Sequence, residues 1–198
     1  MSTPVEYDDR TALVVVDMQN DFADPQGSLH VQGGDKIVPF VNQEIARARE
    51  RGALIVYTRD WHPPDTPHFA IHGGKWPVHC VRDTWGAEFH PEVDVVTDHH
   101  THKGTGHEDG YSAFTVEHVV TGERSGTGLE ELLREHGVER IVVIGLATDY
   151  CVKETGLDGI TKGFDVTVLL GGVRAVDLEP GDGDQALRDL EEAGAALV

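Results

Sequence analysis

Five short apolar runs, each rich in β-branched residues, recur along the chain and constrain its fold more than any other feature. They are unbroken rather than alternating in polarity, which is typical of strands buried on both faces of a parallel sheet. Segments with apolar residues at three- and four-residue intervals lie between several of these runs and predict helices. The predicted strands are Ala12 to Val16, Ala53 to Thr58, Val93 to Thr97, Ile141 to Gly145 and Val166 to Leu170. The predicted helices are Asp35 to Arg51, a short helix at Leu129 to Leu133, Cys151 to Lys162 and Asp184 to Ala193.

Strands that alternate with helices predict an α/β fold, in which an open parallel β-sheet carries helices on both faces in a Rossmann-like, three-layer arrangement. The length of 198 residues predicts a single domain over residues 1–198. Residues 60–91 interrupt the alternation, because this segment is rich in Pro, Gly and His and is too long for an ordinary connection. We call it the cover loop and expect it to cover a functional site.

The charge balance limits the partners of the chain. Sixteen Lys and Arg stand against 35 Asp and Glu, which gives a formal net charge of −19 with the 12 His neutral. Such a chain repels phosphates, so nucleic acid and anionic membranes are excluded as partners. No apolar run approaches the roughly 18 residues that span a bilayer, and the segment MSTPVEYDDR has no signal-peptide pattern. We therefore predict a cytoplasmic protein.

Three polar residues follow predicted strands, at the sheet edge where open parallel sheets bind ligands. Asp17 ends the first strand, Lys103 comes six residues after the third, and Cys151 follows the fourth and opens a helix. A helix N-terminus and a nearby ammonium lower the pKa of a thiol, and a carboxylate can carry its proton. Backbone amides near Ala147 and Cys151 are placed to bind an oxyanion. Each side chain also fits an ordinary role as a packed thiol, a turn residue or a solvated amine.

A second group of side chains has the composition of a metal site. Asp60 and His62 are two residues apart just beyond the second strand, so an extended chain points both to one face. His68, His72 and His79 follow in the cover loop, and a carboxylate with imidazoles suits zinc, iron or manganese. Chance proximity is the alternative in a chain with 12 His. A further cluster, expected at the solvated surface without a role, comprises His99, His100 and His102.

Six motifs carry a family resemblance. In order they are DMQNDF from residue 17, TRDWHP from 58, WPVHC from 76, KGT from 103, DGYSAF from 109 and GLATDYCV from 145. Together they resemble the nicotinamidase and pyrazinamidase branch of the isochorismatase-like cysteine hydrolases. The resemblance covers about residues 11–175. It implies an amidohydrolase that converts nicotinamide, and also pyrazinamide, to the acid and ammonia through a cysteine acyl-enzyme.

The resemblance also implies roles for individual residues. Asp17, Lys103 and Cys151 would be the catalytic triad, and the amides of Ala147 and Cys151 the oxyanion donors, with a cis peptide at Leu146–Ala147. One divalent transition metal ion, zinc before iron or manganese, would orient the ring nitrogen of a small aromatic amide substrate. Its implied ligands are Asp60, His62, His79 and, less generally in the family, His68, with His72 or a water molecule as the alternatives for this fourth place. The implied aromatic pocket residues are Phe22, Trp76 and Tyr111.

Two other interpretations compete with this one. A metal-independent isochorismatase-like amidase or carbamoyl hydrolase acting on a non-aromatic amide would keep the triad but would not need Asp60, His62 and His79. A non-catalytic α/β module that senses a nicotinamide-like metabolite, or a metal-buffering protein, would explain the histidines without a nucleophile. The sequence is also compatible with a homo-oligomer.

Overall fold

The computed structural model describes residues 5–198, and its central layer is a six-stranded parallel sheet in the order β3-β2-β1-β7-β8-β9. The predicted α/β class is therefore confirmed. These strands are β1 (Thr11–Val16), β2 (Leu54–Asp60), β3 (His100–Lys103), β7 (Arg140–Leu146), β8 (Asp165–Arg174) and β9 (Ala196–Leu197). A second, antiparallel sheet, which the sequence analysis did not predict, consists of β4 (Glu108–Asp109), β5 (Thr115–His118) and β6 (Arg124–Gly126).

Five α-helices accompany the strands in this part of the chain, and the four longer ones lie within a few residues of the predicted helices. They are α1 (Asn20–Ala23), α2 (Val38–Glu50), α3 (Leu129–Glu135), α4 (Lys153–Thr161) and α5 (Asp182–Ala193). Short 3₁₀ turns occur at Asp35–Ile37, Ala70–His72 and Trp85–Ala87, and a π-helical turn at Thr148–Val152. Within residues 5–198, no helix has both the length and the apolar character needed to cross a membrane.

Strand β1 shows why the sheet is covered on both faces. All six of its residues are buried, and successive side chains point to opposite sides. Leu13 and Val15 pack in one apolar cluster with α2, whereas Val14 and Val16 belong to a second cluster that includes residues of α3 and α5. The unbroken apolar run thus reflects two separate cores, as the three-layer prediction requires.

The third predicted strand, Val93 to Thr97, is wrong. This segment is irregular, and Val95 and Val96 are 43% and 38% exposed. It is tied to the sheet by the hydroxyl of Tyr57, which donates to the carbonyl of Asp94 at 2.7 Å and accepts from the amide of Val96 at 3.2 Å. The strand is instead the polar segment His100–Lys103, which pairs with β2 at one edge of the central sheet.

The register of β2 and β3 sorts their side chains onto two faces. Asp60 lies opposite Lys103, and His102 lies opposite Arg59. Lys103 is therefore the last residue of β3, not a residue beyond it. His100 and His102 point to the other face and are half-buried, with the His102 ring 5.2 Å from that of Trp61. The expectation of a histidine cluster at the solvated surface is wrong for these two residues, because strand pairing places them against aromatic rings.

Candidate active site

A buried ammonium group lies at the centre of the site, where the carboxyl ends of four strands meet. Lys103 is 1% exposed, and it contacts both of the other residues that the sequence analysis singled out as a triad, Asp17 and Cys151. Its Nζ atom lies 2.6 Å from Asp17 Oδ2, 2.9 Å from Asp60 Oδ1, 3.1 Å from the carbonyl oxygen of Tyr111 and 3.2 Å from Cys151 Sγ.

Asp17 is held in place by the strand next to its own. It follows β1 in a left-handed conformation with φ of 47°, which Asp adopts more readily than most residues. The hydroxyl of Thr58 on β2 donates to Asp17 Oδ1 at 2.6 Å and accepts from the Asp17 amide at 3.2 Å. The second carboxylate oxygen is thereby left for Lys103. Sequence reasoning missed Thr58, although it is the first residue of the TRDWHP motif.

The thiol lies in the π-helical turn that follows β7. The amides of Tyr150 and Val152 donate to the carbonyl of Ala147 at 3.1 and 3.0 Å, which curls the chain tightly around Cys151. The peptide bond Leu146–Ala147 is cis, as the resemblance implied. Ala147 and Cys151 both line the same cleft.

Burial, rather than the neighbouring ammonium, dominates the ionisation of the thiol. Burial raises the pKa of Cys151 well above its usual value despite the positive charge of Lys103, so the expected lowering of this pKa is wrong. Burial also raises the pKa of Asp17, against the effect of Lys103. Burial lowers the pKa of Lys103, but the negative charges of Asp17 and Asp60 have the larger combined effect and hold this pKa well above its usual value. Burial therefore favours the protonated thiol of Cys151, and the buried carboxyl group of Asp17 binds a proton more readily than a free one does.

Three of the five histidines in the cover loop come together beside this group. The ring nitrogens of His62, His68 and His79 that could bind a metal lie within 4.8 Å of one another, and all three residues are buried. The Nε2 atoms of His62 and His79 lie 3.6 and 3.8 Å from Asp60 Oδ2. His72 is exposed, and its Nε2 atom lies 3.3 Å from the carbonyl oxygen of Pro64, outside the cluster.

The hydrogen bonds of these histidines fit a metal site. The Nδ1 atom of His62 lies 3.1 Å from the carbonyl of Gly104, and that of His79 lies 2.7 Å from the carbonyl of Pro77. A carbonyl oxygen only accepts, so each Nδ1 carries the proton and each Nε2 keeps its lone pair. His62 Nε2 is buried without a hydrogen-bond partner among the described residues. Burial opposes ionisation of Asp60, but Lys103 and the histidines hold its pKa well below the usual value. This donor set suits a divalent transition metal.

An apolar cleft opens above the thiol, and His68 and His79 line it. The indole nitrogen of Trp76 donates to the hydroxyl of Tyr111 at 2.9 Å, and the ring of Tyr150 lies 5.0 Å from Trp76 and 5.2 Å from Tyr111. The predicted pocket residues Phe22, Trp76 and Tyr111 all line it. Further lining residues that sequence reasoning missed are Leu29, Val31, Leu146, Tyr150 and Val176.

Gly104 offers a test of the histidine cluster. Its φ is +63°, and a Cβ atom there would lie 2.3 Å from Cε1 of the His62 ring. We expect Gly104→Ala to displace that ring and to lower the bound transition metal from about one ion per chain to a small fraction of that, measured by elemental analysis.

Gly52→Ala is the matched control. Gly52 has a φ of +74° at the turn before β2, and a Cβ atom there would meet no other atom of the described residues within 4 Å. Both substitutions carry a similar backbone strain of about 1–2 kcal/mol, but only the one at Gly104 touches a histidine. Equal metal contents in the two variants would contradict the assignment of His62 as a ligand.

Most of the chain is similar to known proteins. The family model described as the isochorismatase domain matches residues 11–198. Nicotinamidase of Escherichia coli (strain K12) is 37% identical over 203 residues, which covers 94% of this chain and 93% of that protein. The structure of pyrazinamidase of Pyrococcus horikoshii in complex with zinc is 43% identical, with a TM-score of 0.86 and coverage of 96% of this chain and 98% of that one. The structure of PnC1 from L. infantum in complex with nicotinate is 34% identical, with a TM-score of 0.86 and coverage of 98% and 95%.

Proposed function

The chain belongs to the isochorismatase domain family, and we propose that it is an amidohydrolase that converts nicotinamide and water to nicotinate and ammonia. The motif-based resemblance to nicotinamidases is confirmed by the relatives described above. One observation carries the proposal: the Lys103 ammonium lies within hydrogen-bonding distance of both Asp17 and Cys151, below an apolar cleft that His68 and His79 also line. The metal-independent alternative leaves unexplained why three buried imidazoles cluster, two of them 3.6 and 3.8 Å from Asp60 Oδ2.

Acylation uses Asp17 as the base. The carboxylate takes the thiol proton as Cys151 Sγ attacks the carboxamide carbon, so an S–C bond forms while the C=O becomes an oxyanion. The amides of Ala147 and Cys151 would stabilise this oxyanion, and each such donor contributes about 3 kcal/mol in comparable hydrolases. The C–N bond then breaks, and Asp17 passes its proton to the departing nitrogen to give ammonia and a thioester.

Deacylation repeats the sequence with water. Asp17 takes a proton from the water that attacks the thioester carbon, the C–S bond breaks, and the thiolate of Cys151 recovers that proton. Lys103 stays positively charged throughout, because the carboxylates around it hold its pKa high. Its role is to hold the carboxylate of Asp17 and the sulfur of Cys151 in a fixed relative position. Its positive charge also offsets the negative charge that develops beside them.

Ring recognition would fall to the aromatic wall and to the metal site. Trp76 and Tyr111, joined by their hydrogen bond, line the cleft with aromatic rings against which a pyridine or pyrazine ring can pack. We propose Asp60, His62, His68 and His79 as the ligands of one divalent ion, with zinc as the ion and iron and manganese as alternatives that accept the same donors. When bound, this ion supplies a Lewis-acid contact for the ring nitrogen and so orients the carboxamide.

The remaining sequence-based expectations belong to this proposal. The 198 residues would form one domain, with residues 60–91 as its metal-binding cover loop. Small aromatic amides would be its substrates, and the protein would be located in the cytoplasm. Assembly into a homo-oligomer stays a prediction.

A comparison of three substrates tests the proposed function. Purified protein should release ammonia from nicotinamide and pyrazinamide, and an aliphatic amide of similar size should react at least about 100-fold more slowly, because nothing would orient it. The measurement is the initial rate of ammonia release for each amide at equal concentration. If the aliphatic amide reacts fastest, the metal-independent alternative is correct, and if no amide reacts, the proposal is wrong.

A further inference from the structure

The three clustered histidines differ in the group that lies within hydrogen-bonding distance of the ring nitrogen Nδ1. Backbone carbonyls hold His62 and His79, whereas His68 Nδ1 lies 2.9 Å from the carboxylate oxygen Oδ2 of Asp109. His68 is therefore the one member of the cluster whose orientation depends on another side chain. Substitution of Asp109 removes that dependence and leaves the backbone contacts of His62 and His79 in place.

The carboxylate of Asp109 is itself fixed. Asp109 is the last residue of β4, and its Oδ1 atom accepts the amide of Gly110 at 2.7 Å, so Oδ2 is left to face His68. An ionised carboxylate only accepts hydrogen bonds, which puts the His68 proton on Nδ1 and the lone pair on Nε2. The Nε2 lone pair is what a metal ion requires. A carboxylate partner also makes an imidazole a stronger ligand than a carbonyl partner does.

We propose that Asp109 is a positioning residue that turns His68 into the fourth protein ligand of the metal site. The inference rests on the metal site put forward under the proposed function and names the residue that completes it. His72, the other candidate, is exposed and bonded elsewhere, so the cover loop offers His68 for this place.

This arrangement links three parts of the site through one short segment. Asp109 holds a metal ligand of the cover loop, and two residues later the carbonyl of Tyr111 accepts from Lys103 while its hydroxyl accepts from Trp76. The segment from Asp109 to Tyr111 therefore contacts the metal site, the triad and the aromatic wall. Loss of the Asp109 carboxylate should loosen His68 first, because the other contacts use different atoms.

Zinc affinity of the metal-free protein is the direct test. The probe is zinc alone, titrated in competition with a chromogenic chelator, with no substrate present. We expect Asp109→Ala to bind zinc about 10–100-fold more weakly than the wild type, which is the usual cost of losing such a partner. Asp109→Asn should lose less, since its amide oxygen can still accept from His68 Nδ1.

Glu117→Gln is the matched control. Glu117 is the residue opposite Asp109 across β4 and β5, and its carboxylate pairs with Arg124 at 2.8 Å rather than with a histidine. This variant removes one negative charge from the same small sheet and should keep the zinc affinity of the wild type. Equal losses in the Asp109 and Glu117 variants would show a general charge effect and overturn the inference.

A double-mutant cycle separates positioning from a merely structural role. His68→Ala should weaken zinc binding, and adding Asp109→Ala should weaken it no further, because the carboxylate acts only through that ring. Wild-type zinc affinity in Asp109→Ala, or fully additive losses in the double variant, would overturn the inference. The zinc titration needs no substrate, so its result bears on Asp109 and not on the reaction. If the wild-type protein releases no ammonia, that result contradicts the proposed function alone.

Discussion

Cys151→Ala is expected to lower kcat for nicotinamide by about a million-fold, as removal of a catalytic nucleophile does in other hydrolases. The substitution removes the sulfur that lies 3.2 Å from Lys103 and leaves the carboxylate of Asp17 with no thiol proton to take. The variant should fold and keep its metal, because the side chain becomes smaller within an existing cleft. The measurement is the steady-state rate of ammonia release, together with the metal content of the same sample.

Cys80→Ala provides the control for this prediction. Cys80 is the other cysteine of the chain and is fully buried, but its sulfur lies 3.9 Å from the carbonyl oxygen of Gly86 instead of bonding to the triad. Its loss should leave kcat close to that of the wild type. If Cys151→Ala keeps the wild-type rate, the nucleophile is misassigned. If the two variants lose activity equally, the loss reflects packing rather than chemistry.

The edge of the sheet where the site forms could be predicted from sequence, and the reason is geometric. Parallel strands end on the same side, so a carboxylate after β1 and a cysteine after β7 belong to one edge of the sheet, and the pairing of β1 with β7 brings them close together. Lys103 was singled out by its position six residues after the predicted strand Val93–Thr97 and by the motif KGT. The motif identified it correctly, whereas the predicted strand is an irregular segment that the structure leaves half-exposed.

Contacts between distant segments account for what the sequence did not reveal. Thr58, which orients Asp17, and Asp109, which faces His68, are separated from their partners by about forty residues each, and neither position shows a pattern that specifies a partner. The ionisation of Cys151 was misjudged for a related reason. A helix terminus and a lysine are visible in sequence, but the depth of burial that outweighs them appears only after folding.

Lys103→Met is the second substitution expected to have a large effect, and here stability as well as activity should fall. The ammonium faces the buried carboxylates of Asp17 and Asp60 at 2.6 and 2.9 Å. Removing one member of a buried ion pair leaves an uncompensated charge and costs about 3–5 kcal/mol in free energy of unfolding. Ammonia release should also become undetectable, because Asp17 and the sulfur lose the group that holds them together. Urea denaturation of the metal-free protein measures the first effect.

Lys162→Met shows what an ordinary ion pair contributes. Lys162 lies 2.7 Å from Glu130, nearly the same distance as in the buried pair, but both side chains are partly exposed. Water screens such a pair, so the free energy of unfolding should change little. The contrast between the two lysines isolates burial as the cause.

A double variant separates the stability effect from the catalytic one. In Asp17→Asn with Lys103→Met, one buried carboxylate disappears together with the ammonium, so part of the lost free energy of unfolding should return relative to Lys103→Met alone. Activity should not return, because the proton acceptor is now an amide. A Lys103→Met protein as stable as the wild type would contradict the ion pairing at the centre of the site. A double variant that regained activity would contradict Asp17 as the base, and with it the order of proton transfers on which the proposed reaction depends.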